Sequence, residues 1–182
     1  MKKLLLLTLL FPLLFSCNNN SSTGNNGDAD SIKSDTTKII NGVIGEGTSM
    51  HSLELIADND SVYTLYNNSI VVGGAITGDE VSVLCEYSEE GLTALKVINL
   101  TALRHLWAVT DTQGKQHLEL DKKGVAISYG MDNYYSRWNV DDVEHLVLVS
   151  DELTDTFDIQ LLTEDSLVIS NDKTVLRMIK EN

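Results

Sequence analysis

Gln116-His117-Leu118-Glu119-Leu120-Asp121-Lys122-Lys123-Gly124-Val125-Ala126-Ile127-Ser128-Tyr129 decides the fold class. Leu118 and Leu120 alternate with His117 and Glu119, so one side of the segment is apolar and the other polar. That two-residue period belongs to a half-buried strand. Asp121 to Gly124 carries plain turn chemistry, and Val125 to Tyr129 supplies a second strand at once. The stretch reads as a hairpin.

The same grammar extends in both directions. Downstream, strands are expected at Tyr134 to Trp138, His145 to Val149, Thr156 to Leu161, Ser166 to Ser170 and Thr174 to Lys180, with turns at Asn139 to Asp142 and at Asn171-Asp172-Lys173. Upstream, Leu106 to Thr110 is a strand, and Leu100 to Trp107 loses the alternation and suits a turn of helix. Before it, strands are expected at Ile39 to Ile44, Met50 to Ile56, Ser61 to Tyr66, Ser69 to Val72, Val81 to Tyr87 and Thr93 to Leu100, with a bulge or tight bend at Gly73-Gly74. No stretch of ten or more residues holds a helical period. The class is all-β: the short, closely spaced strands before residue 100 suit a small barrel or sandwich, and the later hairpins joined in sequence order form a meander that closes most simply as an up-and-down barrel.

The first residues follow different rules. Met1-Lys2-Lys3 is positively charged, Leu4 to Phe15 is almost wholly apolar, and Ser16 is small. This is the layout of a secretory signal peptide over residues 1–16. As a helix the apolar run would reach roughly 18 Å, short of the ~30 Å hydrocarbon core of a bilayer. Residues 18–37 are dominated by Asn, Ser, Thr, Gly and Asp, which cannot bury enough surface to offset ordering. They are expected to form a tether with a reach of roughly 25 Å. Folded modules are expected at 38–100 and 101–182.

The chain carries a formal charge of −14, and losing Lys2 and Lys3 with the leader makes the remainder more acidic still. No basic patch or stripe is present, which excludes nucleic acid as a partner. With Cys17 beside the leader, Cys85 is the one thiol left, and its parity with Val81, Val83 and Tyr87 places it in a core. No Cys-x-x-Cys, Gly-x-Ser-x-Gly, His-Glu-x-x-His or P-loop occurs, so the expectation is a protein that is not an enzyme and uses no cofactor and no metal. His117 and Glu119 share a strand face, as solvent-facing neighbours often do. Asp58-Asn59-Asp60 completes no EF-hand, and the acidic loops at Asp141-Asp142 and Asp151-Glu152 offer oxygen ligands that could hold calcium but are equally what a chain this acidic shows without any metal.

Leu14-Phe15-Ser16-Cys17 resembles the lipobox of bacterial lipoproteins. The resemblance implies lipidation of the Cys17 thiol, cleavage before it, and acylation (palmitate included) of the new terminus. It implies a cell-envelope protein of the bacterial outer membrane, anchored by lipid. The first acid after the cysteine is Asp28, which favours a domain facing the periplasm. Leu103-Arg104-His105-Leu106-Trp107, Asp121-Lys122-Lys123-Gly124-Val125 and Tyr135-Ser136-Arg137-Trp138 resemble the small lipocalin-like domains of bacterial envelope lipoproteins, with His105 where those have a glycine. Gly42-Val43, Met50-His51-Ser52-Leu53, Gly78-Asp79-Glu80-Val81-Ser82-Val83 and Ala94-Leu95-Lys96-Val97 resemble the five-stranded OB-like module sometimes paired with them. NlpE-like copper-resistance and envelope-stress lipoproteins combine similar modules but carry a Cys-x-x-Cys, which this chain lacks.

The expected function is a membrane-anchored, non-catalytic binding module for a small apolar ligand. The alternative is a filled barrel that docks another envelope protein, as an envelope-stress or scaffold lipoprotein does. An eight-stranded barrel is just wide enough for side chains or one small ligand. The expected ligand lining is Trp107, Tyr129, Tyr135 and Trp138, with Arg137 facing a carboxylate or phosphate.

Overall fold

The computed structural model describes residues 36–89, 91–110 and 115–181. Residues 1–35, where a leader, Cys17 and most of a tether are expected, lie outside the described residues. The described chain is all-β apart from one helical turn. Its elements are β1 (Thr37–Ile44), β2 (Ser52–Ala57), β3 (Val62–Val72), β4 (Glu80–Ser88), β5 (Gly91–Asn99), α1 (Leu100–Leu103), β6 (Leu106–Val109), β7 (His117–Leu120), β8 (Ala126–Tyr129), β9 (Arg137–Asp141), β10 (His145–Val149), β11 (Thr154–Leu162), β12 (Ser166–Ser170) and β13 (Val175–Lys180).

The first five strands close a barrel in the order β1-β2-β3-β5-β4, with β4 pairing back on β1. This is the five-stranded, OB-like module that the resemblance implies. Its interior is aliphatic: Ile44, Leu55, Leu65, Val81, Val83, Cys85 and Ala94 are nearly or wholly inaccessible. Burial pushes the Cys85 thiol up to about 11, so it packs as a small hydrophobe. One expectation needs correction here. Ser61 to Tyr66 and Ser69 to Val72 are one strand, β3, which pairs antiparallel with β2 in its first half and parallel with β5 in its second. The polar Asn67 and Ser69 bond to each other (2.7 Å) and shift the register between Asn67 and Ile70, bending the strand without ending it.

The remaining strands form the expected meander, an eight-stranded antiparallel sheet in the order β8-β7-β6-β13-β12-β11-β10-β9. The ladder between β6 and β13 joins its first and last strands. The nearly closed barrel has its seam between β8 and β9, where Val125 and Arg137 form a single bridge. The buried Ser128 hydroxyl spans the rest, accepting from Tyr135 N–H (2.9 Å) and donating to Asn133 C=O (2.8 Å). The strand expected at Tyr134 to Trp138 instead runs Arg137–Asp141, and its turn falls at Asp142-Val143 rather than Asn139 to Asp142. Val143 is almost fully buried, and its contribution to the core outweighs the turn signal of Asn139.

β5 joins the two modules. Val97 points into the five-stranded barrel, and Ile98, its neighbour of opposite parity, packs into the core of the eight-stranded sheet. Asn99 then caps α1, its side chain accepting from Ala102 N–H (2.9 Å), and Leu103 seals the second core from below. Two ionic ties reinforce the joint. The Glu80 carboxylate receives Arg104 (2.5 Å) and Lys122, and Lys96 meets Glu144 at 2.8 Å.

Candidate functional site

The five residues expected to line a ligand site do not converge. Trp107, Tyr135 and Trp138 are buried in the core of the eight-stranded barrel. Their polar atoms are already spent: Trp107 donates to Leu103 C=O (2.9 Å), Trp138 to Asp121 C=O (2.9 Å), and the Tyr135 hydroxyl to Asp155 (2.7 Å). Burial pushes the Tyr135 phenol up to about 12. Tyr129 and Arg137 lie on the outer surface, both exposed, because their parity opposes that of Ser128 and Trp138. With Phe157, Leu118, Leu146 and Leu167 also inside, side chains occupy the barrel interior. His117 meets Glu181 (2.8 Å) rather than Glu119, and no cluster of three metal-ligating side chains occurs among the described residues.

The open space lies elsewhere. A cleft of about 630 Å³ opens between the end of β3 and the β3–β4 loop on one side, and α1 with the ends of β11 and β13 on the other. Local sequence explains its shape. Gly73 turns the chain at φ +89, and a Cβ there would lie 2.7 Å from the Leu162 side chain, so only glycine permits this approach. The Asn99 amide reaches Gly73 C=O (3.2 Å), Gly74 C=O (3.1 Å) and Asp79 (2.8 Å), pinning the loop to the end of β5. Asp79 also accepts from Ile76 N–H (3.0 Å).

Ala75, Ile76, Ala102 and Leu162 form the apolar wall. Thr101, Thr163, His105, Glu164, Lys180 and Asp79 supply the polar part. Burial lowers the His105 pKa, the Lys180 ammonium lowers it further, and Glu164 opposes both. The imidazole is therefore neutral at pH 7. Its ring meets Trp107 edge to face at 5.7 Å, which sets its orientation. The volume falls within the range usual for small-molecule sites, as does the mixture of apolar wall and a few polar groups.

Reading the sequence did not single out this cleft. Three of its residues did leave a mark there: Gly73-Gly74 stood out as a bend, and His105 replaces a glycine in the resembling pattern. Lys180, Leu162 and Asn99 carried no signal, because they meet only when both modules are folded.

No family model matches the chain, and no curated protein matches it. Among solved structures, the crystal structure of a lipocalin-like protein from Bacteroides thetaiotaomicron is similar at 29% identity, with 43% of this chain and 95% of that one covered and a TM-score of 0.35.

Proposed function

We propose that the protein is a membrane-anchored, non-catalytic envelope lipoprotein that binds a small, largely apolar ligand, and that the ligand sits in the cleft between the modules. One observation carries this reading: the barrel interior is occupied by aromatic and aliphatic side chains, whereas the cleft combines volume, an apolar wall and polar groups with bonding capacity to spare. Anchoring rests on the lipobox-like Leu14 to Cys17, with the domain on the periplasmic side of the outer membrane.

Native mass spectrometry of the chain from residue 17 onward, with Cys17→Ser and recovered from a bacterial periplasm, tests the binding. A retained small-molecule adduct is expected, absent from Ile76→Asp and unchanged in Arg137→Ala. An adduct that ignores Ile76→Asp and disappears with Trp138→Ala would return the site to the barrel. Metabolic labelling with a palmitate analogue tests the anchor, with label on the wild type and none on Cys17→Ser.

A row on the first barrel favours the alternative, a protein partner. Val43, Ile56 and Val62 are register neighbours on three successive strands, and Ile56 and Val62 are exposed. If this face carries the function, Ile56→Asp with Val62→Asp abolishes envelope crosslinks while cleft binding stays intact.

A further inference from the structure

We propose that the cleft takes a small monocarboxylate with an aliphatic body, its carboxylate seated between Lys180 and His105. This rests on the reading of the cleft as the ligand seat. Lys180, at the end of β13, is half-buried on the cleft wall, and among the described residues its ammonium belongs to no ion pair. In the same structure Lys96, Arg104 and Lys122 are all paired with carboxylates. A half-buried cation left unpaired in so acidic a chain is a seat for an anion from outside. His105, beside it, has a ring that makes no hydrogen bond among the described residues, and can donate an N–H to the same oxygen pair without adding charge.

The other charges of the lining narrow the ligand class. Asp79 and Glu164 both face the cleft, so a phosphate dianion would meet two carboxylates with only one full cation to offset them. An ammonium ligand would be repelled by Lys180, and the oxygen of Asp79 nearest the cleft loop already holds Ile76 N–H and the Asn99 amide. Glu164 is exposed on the rim, where water screens it. A single negative charge therefore fits, and Ala75, Ile76, Ala102 and Leu162 receive the apolar body.

Isothermal titration of the chain from residue 17, carrying Cys17→Ser, with octanoate, decanoate, octan-1-ol and octylamine separates the two levels of this argument. Octanoate is expected to bind about tenfold tighter than octanol, as one charge-assisted contact provides, and decanoate about tenfold tighter than octanoate for two buried methylenes. Lys180→Met should bring octanoate down to the level of octanol, Lys180→Arg should keep the preference, and circular dichroism of both confirms folding. Octanol binding as well as octanoate, or octylamine binding better, would overturn the carboxylate assignment and leave the cleft reading standing. Binding of all four probes unaffected by Ile76→Asp, or no binding by any, would overturn both.

Discussion

The two barrels of this chain reach closure by different means. The five-stranded barrel closes with backbone ladders all round, and its narrow interior is filled by Leu, Ile, Val, Ala and one Cys. The eight-stranded barrel is wider, and two indoles, a phenol and Phe157 join its aliphatic residues inside. It closes at β8–β9 through one bridge and a serine hydroxyl. Strand number sets the interior volume, and the volume selects the side chains. The wider barrel therefore admits the larger side chains, and single residues there fill more of the core.

The largest test of this contrast is Trp107→Ala against Leu55→Ala. Trp107 is fully buried and also satisfies the Leu103 carbonyl, so its loss should cost about 3–5 kcal/mol, at the upper end of core truncations. Leu55→Ala should cost about 2–5 kcal/mol, with the cavity confined to the small barrel. Urea denaturation of both variants measures the difference, and equal losses would deny the second core its dependence on single large residues.

Ser128→Ala probes the two closures directly. It leaves Tyr135 N–H and Asn133 C=O without their partner and should cost about 1–3 kcal/mol. Amide hydrogen exchange should accelerate at β8 and β9 and stay unchanged along the β1–β4 ladder. Uniform acceleration would mean that the two barrels open as one unit.

Glu80→Gln tests the joint between them, with an expected loss of about 1 kcal/mol since the group is partly screened by solvent. Lys122 and then Arg104 hold the Glu80 carboxyl below its ordinary 4.5. Because the folded pKa is the lower one, this stabilisation is complete above the unfolded value. It is lost as pH falls from about 4.5 through the folded pKa. Acid titration of stability should therefore show less loss in Glu80→Gln than in the wild type across that window.

The smallest effect is expected at the β9–β10 turn, where Asp142 takes φ 49. Asp142→Gly relieves that conformation but frees the unfolded chain, so the net change should stay within about 1 kcal/mol of zero. Calorimetry resolves its sign.

Much of the strand pattern could be read directly. His145–Val149 and Ser166–Ser170 have the expected bounds, and the helical turn falls at Leu100–Leu103 where alternation stops. Reading failed where a side chain served tertiary packing against its local type. Val143 occupies a left-handed turn position that β-branched residues rarely adopt, because the core needs its volume. Asn67 bends β3 instead of ending it, since β5 waits on the far side to pair.

The sequence by itself determined the all-β class and the acidic character, because periodicity, turn chemistry and composition are local properties. Only the tertiary structure decided that the aromatic residues fill the second barrel, and that the open cleft lies between modules. Its walls come from Gly73, Asn99, His105, Leu162 and Lys180, residues far apart in the chain. Their meeting depends on the close approach that Gly73 allows and on β5 serving both cores, with Val97 in one and Ile98 in the other.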